Sequence, residues 1–131
     1  MNFIGIDVGT SSIKALLVGP DGNVLATSNP EYPFQTPAPL CAETDPDVWW
    51  DATCRALRQL LESVDSGSIS GIGLTGQMHG LVLLDENGIP LRPCIMWNDQ
   101  RSFQECEEMT EKIGDAEVLR ITGNPILAGF T

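Results

Sequence analysis

Basic residues are scarce in this chain. Its 131 residues hold seven Lys and Arg against 18 Asp and Glu, a formal net charge of −11. Such a surface repels phosphate backbones and anionic lipid, which argues against nucleic acid and membrane surfaces as partners. Histidine is scarcer still, with one residue, and the four cysteines Cys41, Cys54, Cys94 and Cys106 form no CxxC pair. Together they do not complete a usual zinc pattern, so structural thiols in a reducing compartment are expected rather than disulfides. No apolar run approaches the ~20 residues of a membrane-spanning helix. The N-terminus has no basic leader and Asp7 interrupts its apolar stretch, so no signal peptide is expected. GxGxxG and GxxxxGK[ST] are both missing, which sets aside those two nucleotide-binding loops. These absences predict a cytoplasmic protein whose anion sites rest on backbone amides, a metal ion or a local base.

What is present reads as one α/β domain. Residues 2–8 alternate as a strand, with Ile4, Ile6 and Val8 on one face and Phe3, Gly5 and Asp7 on the other. Ile13–Val18 and Val24 to about Glu31 follow, separated by turns at 9–12 and 20–23, so the opening is an antiparallel meander. That order argues against a Rossmann domain, which begins with parallel βαβ units. Residues 30–44 hold four prolines and read as an ordered loop. Asp45 then caps a helix with Pro46 at its first position. Its inner stripe is expected at Trp50, Cys54, Leu57, Leu61 and Val64, with Trp49 and Trp50 as packing residues. Ile69–Thr75, Leu81–Asp85 and Cys94–Trp97 read as strands, with a hairpin turn at 86–88. A helix capped by Asn98 or Asp99 runs to Gly114, its inner stripe at Phe103, Cys106, Thr110 and Ile113. A last short helix ends at Gly123. The pattern predicts a mixed sheet with helices packed on it.

Three segments carry candidate chemistry. In the first, Asp7 sits at a strand end among apolar neighbours, followed by Gly9, Thr10, Ser11, Ser12 and Lys14. A carboxylate there suits a metal ion or its water shell, and the hydroxyls and amides of the turn suit phosphate oxygens. An ordinary polar hairpin with Asp7 as a turn acceptor accounts for the same residues. The second is Gln77, Met78 and His79 between Gly76 and Gly80. Gln and His bond neutral hydroxyls well, and strand-end loops are where open α/β sheets bind ligands. A structural His is the competing reading. In the third, Trp97 offers a face for the C–H side of a sugar, while Asn98 and Asp99 offer polar groups. Trp97 in the core and Asp99 as a helix cap is the alternative.

Together the three segments resemble the FGGY family of carbohydrate kinases. Residues 3–12 resemble the phosphate-facing hairpin of the actin, Hsp70 and sugar kinase superfamily. Gly76-Gln77-Met78-His79-Gly80 and Arg92 to Ser102 are similar to the xylulokinase branch, as is the stretch from Thr122 to Thr131. The resemblance implies an α/β, ribonuclease H-like fold, of which 1–131 is part of the N-terminal, sugar-binding domain. The nucleotide domain and the catalytic base would lie outside this chain, so these residues alone should not turn over substrate. It further implies ATP and Mg2+, with phosphate passing to a terminal hydroxyl of a ketopentose, D-xylulose above others. A homodimer of the full-length protein is compatible with it. Asp7 would organise the metal through water, Gly9, Thr10, Ser11, Ser12 and Lys14 would line the phosphates, and Gln77, Met78, His79, Trp97 and Asp99 would meet the sugar. Gluconokinase, ribulokinase, or a non-catalytic module of the same fold are the alternatives.

Overall fold

A computed structural model describes residues 1–130. The chain divides into two compact units, residues 1–34 with 45–77, and residues 35–44 with 78–131.

The first unit is built on β1 (Asn2–Val8), β2 (Ile13–Val18), β3 (Val24–Ser28) and β5 (Ile69–Gly76), in the spatial order β3-β2-β1-β5. β1 pairs antiparallel with β2, and β2 with β3, while β5 joins β1 in parallel. The expected meander and mixed sheet are both present. β3 stops at Ser28 instead of near Glu31. Pro30 has no N–H to extend a ladder, and only an isolated bridge between Ser12 and Glu31 continues the pairing.

Helix α1 (Pro46–Leu61) starts as expected: the Asp45 carboxylate accepts the Asp47 amide at 3.0 Å, with Pro46 in the first turn. Its buried face differs from the expected stripe. Ala52, Ala56 and Leu60 are fully buried against Ile4, Ile6, Ile13, Ala15 and Leu17, whereas Trp50 is 69% exposed. Leu57, Leu61 and Val64 pack at the margin, as does Trp49. Small alanines bring the helix backbone close to the sheet, and a bulky stripe would hold it off. Arg55 donates to the Glu31 carbonyl, and no ion pair to Asp51 forms among the described residues.

The second unit holds β4 (Glu43–Thr44), β6 (Cys94–Ile95), α2 (Phe103–Ile113) and α3 (Asp115–Thr122). β4 lies within the proline-rich segment read as loop, and pairs antiparallel with β6. The expected strand at 81–85 is only two isolated bridges, Leu81 to Ile95 and Leu84 to Pro90. Its partner segment carries Pro90 and Pro93, which remove two donors. The turn after it is real. The Asp85 carboxylate accepts the amides of Asn87 and Ile89, which holds its carboxyl below the ordinary range. The expected strand 94–97 shortens to two residues. Helix α3 ends at Gly123 with φ of 73°, a left-handed cap. All four cysteines are free thiols, and burial pushes the Cys94 thiol up. No described helix is long and apolar enough to cross a membrane.

Candidate active site

In the first unit, strand alternation sends Ile4 and Ile6 toward α1 and leaves Gly5 and Asp7 on the opposite face. Register brings Lys14 and Thr75 beside Asp7, and Leu16 and Gly73 beside Gly5. These residues line a cleft of about 450 Å³. Its floor is low because Gly5 and Gly73 have no side chains. Asp7 is half-buried, and its carboxylate makes no hydrogen bond or ion pair among the described residues. Thr75 is a neighbour that the sequence did not single out.

The turn from Gly9 to Ser12 follows directly. Gly9 donates its amide to the Ser12 carbonyl at 3.0 Å, and a Cβ on Gly9 would sit 2.9 Å from that oxygen, so glycine is required by space. Gln77 belongs to this side. Its amide donates to the Val8 carbonyl at 2.8 Å, and the Thr10 hydroxyl donates to its side-chain oxygen at 3.3 Å. Tyr32, also missed from sequence, is 4% exposed and bonds the turn through its hydroxyl. Burial, with a smaller contribution from the Asp7 charge, pushes its phenol up to about 12.

The second unit carries Met78, His79, Trp97 and Asp99. Met78 is 72% exposed. His79 has a φ of 64°, a conformation that non-glycine residues adopt rarely and often at functional sites. Its ring stacks on Phe130, with centroids 4.4 Å apart and planes 5° from parallel. Phe130 reaches that place through Gly129, whose φ is 82° and whose missing Cβ would overlap the Trp97 carbonyl. Neither Gly129 nor Phe130 was foreseen as a site residue; the only sequence signal was the closing Gly-Phe pair. Trp97 is half-exposed, not in the core. It lines a groove of about 650 Å³ with Asn98, Phe103, Cys106, Thr110, Leu127 and Phe130. Three of the four residues expected as the inner stripe of α2 thus face a groove, and no α2 residue is buried.

Asp99 does not cap α2, whose preceding residue is Ser102 with no side-chain cap bond. Its carboxylate is 1% exposed as a residue and accepts the Ala42 amide at 2.7 Å, the Arg101 amide at 2.9 Å and the Arg101 guanidinium at 2.8 to 3.0 Å. Burial pulls its carboxyl upward, but Arg101 and the two amides outweigh this and hold it below the ordinary range. Arg101 also reaches Glu43 at 2.7 Å, and Arg92 meets Glu43 at 2.6 Å. The Asn98 side-chain oxygen, in contrast, is buried with no hydrogen-bond partner among the described residues. Of this pair it is Asn98 that offers an unmatched acceptor.

No group of three or more His, Cys, Asp or Glu able to hold a metal occurs among the described residues. A single half-buried carboxylate such as Asp7 suits Mg2+ instead, which keeps several waters and is completed by substrate phosphates.

Residues 2–131 match the N-terminal domain of the FGGY family of carbohydrate kinases. The chain is similar to the xylulose kinase of Staphylococcus xylosus, with 41% identity over 128 residues, 98% of this chain and 26% of that protein. It is similar to the xylulose kinase of Bacillus subtilis (strain 168), with 45% identity over 130 residues, again 98% and 26%. Among solved structures, a xyloylose kinase from Brucella ovis matches with a TM-score of 0.91 and 40% identity, covering 100% of this chain and 27% of that one. A gluconate kinase from Lactobacillus acidophilus matches with a TM-score of 0.91 and 28% identity, covering 98% and 26%. The chain spans about a quarter of the length of the curated relatives it matches. The mixed sheet and its helices are the α/β, ribonuclease H-like fold of the sugar kinases, and the chain belongs to the FGGY family of carbohydrate kinases.

Proposed function

We propose that this chain is part of the N-terminal domain of a longer, cytoplasmic enzyme that transfers the γ-phosphate of ATP to a terminal hydroxyl of D-xylulose. The observation that carries the reading is the half-buried, unpartnered Asp7 carboxylate beside the hydroxyl-bearing turn, in a chain whose relatives are xylulose kinases. A charge in that position needs an offset, and a hydrated Mg2+ supplies one. When bound, the ion spreads the negative charge of the phosphates. Asp7 would orient its water shell, Gly9, Thr10, Ser11 and Ser12 would lie along the phosphate oxygens, and Lys14 would add positive charge. Met78, His79 and Trp97 would hold the sugar, with Gln77 between the two sets in sequence. Asp99 would act on that pocket through Arg101 and the backbone of residue 42. The general base and the adenine pocket would lie outside these residues.

Backbone shape supports gluconate and xylulose kinases equally, at a TM-score of 0.91 for each. Sequence supports xylulose through the relatives at 45% and 41% identity, which are xylulose kinases; the 28% identity to the gluconate kinase is shared by a xylulose kinase from the same organism and does not discriminate.

The test is a panel of sugars with MgATP on the full-length protein, reading ADP release. D-xylulose should give the highest kcat/KM, and a preference for gluconate would move the assignment within the family. His79→Ala should raise the KM for D-xylulose roughly three- to thirtyfold and leave that for ATP unchanged, the loss of one hydrogen bond and its stranded partner. His79→Gln should recover part of the affinity. Equal losses for both substrates would mark His79 as a packing residue.

A further inference from the structure

We propose that Tyr32 is a positioning residue for nucleotide phosphate, acting by fixing the peptide planes of the Gly9–Ser12 turn. The inference rests on the kinase reading above, and goes beyond it in naming what shapes the turn. The Tyr32 hydroxyl donates to the Gly9 carbonyl, and the Ser12 carbonyl lies 3.4 Å from the same oxygen. The Tyr32 amide donates to the Ser11 carbonyl at 2.9 Å. One residue therefore gathers three carbonyl oxygens of a four-residue turn. The segment that carries it is itself anchored, because the Ile13 amide donates to the Pro30 carbonyl at 3.1 Å.

In a planar trans peptide the N–H points opposite to the C=O. Turning the Gly9 carbonyl toward Tyr32 sends the Thr10 N–H the other way. Turning the Ser11 carbonyl toward Tyr32 does the same to the Ser12 N–H. The amides of Thr10 and Ser12 are thus each aimed away from the Tyr32 group that holds the preceding carbonyl, and backbone donors fixed in this way can serve an anion. Glycine makes this bracing necessary. Gly9 has the widest choice of backbone conformations in the turn, so its peptide plane is the one most ready to flip when untethered. A buried phenol raised to about 12 remains protonated through the physiological range, so it is always available as the donor.

The experiment uses Tyr32→Phe in the full-length protein, which removes the hydroxyl and keeps the ring that fills the core. Affinities for MgADP, AMP and D-xylulose are measured by titration calorimetry, alongside Tm and steady-state kinetics. MgADP affinity and kcat/KM for ATP should fall about three- to tenfold, the scale of one net hydrogen bond. AMP, which lacks the outer phosphates, and D-xylulose should bind as before. Unchanged MgADP binding, or equal losses for MgADP, AMP and D-xylulose with a lower Tm, would overturn the proposal. The kinase reading fails separately: wild-type protein that binds MgADP yet phosphorylates no sugar would sink that reading, while the effect of Tyr32→Phe on MgADP binding would still decide the role of Tyr32.

Discussion

Replacing Asp7 by Ala in the full-length protein is expected to lower kcat and kcat/KM together by roughly 10²- to 10³-fold, with the KM for the sugar near its original value. That loss corresponds to about 2.7–4 kcal/mol of transition-state stabilisation, typical for removing a preorganised electrostatic group. The structural basis is the absence of any protein partner for its carboxylate among the described residues. A carboxylate that braced the fold would have such a partner. The Tm of Asp7→Ala should therefore stay within a degree or two of wild type, or rise, since a half-buried unpaired charge is removed. A lowered Tm with near-normal turnover would assign Asp7 to the turn and not to the reaction.

The second large effect is expected at Asp99, and on stability. Asp99→Ala removes a buried carboxylate and strands the Ala42 amide and one side of the Arg101 guanidinium. Breaking a buried pair costs about 3–5 kcal/mol. The lower end applies here, because Arg101 keeps Glu43 and its side chain is 30% exposed. Asp99→Asn keeps an acceptor for Ala42 and should fall between the two. The acid dependence follows from the depressed carboxyl. A group held below its ordinary range contributes stability that is fully present above the unfolded value of 3.8. That contribution is lost as pH falls through the lower folded value. Hydrogen exchange at residues 40–44 and 94–101, followed from neutral to acid pH, should show opening that steepens in wild type and is already present in Asp99→Ala. Identical exchange in the two proteins would show that the network adds nothing.

The elements best legible in the sequence were those with strict local patterns. β1 and β2 alternate cleanly, and Asp45-Pro46 marks the start of α1 because a cap and a fixed φ act within three residues. The buried face of α1 was misread because large apolar residues draw attention, while the sheet accepts Ala52 and Ala56, which are fully buried. β4 was invisible: two residues among prolines, one of them Glu43, carry no period at all. The strand at 81–85 had the apolar run of a strand, but not a partner with enough donors. Asp7 and the hydroxyl turn stand out as candidates because unusual residues cluster in sequence there. The bracing of that turn by Tyr32 does not, since its chemistry lies in a hydroxyl arriving from 23 residues away. Asp99 reads in the sequence as a helix cap or a sugar contact; the structure gives it no cap and ties it instead to Arg101, two residues on, where sequence spacing favours a cap.

The long-range tie between Glu43 and Arg101 bears on how the chain is made. Glu43 leaves the ribosome 58 residues ahead of Arg101, an interval of roughly 3–12 s at about 5–20 residues per second. For most of that interval the proline-rich stretch that carries β4 has neither β6 to pair with nor either arginine to neutralise Glu43; Arg92 follows Glu43 by 49 residues, β6 comes just after it, and Arg101 completes the tie. The meander, with contacts close in sequence, closes early. Nascent chains should therefore be open to protease in residues 35–44 for as long as translation needs to reach residue 101. Slowing elongation across that interval would lengthen the exposure without altering a single contact in the finished protein.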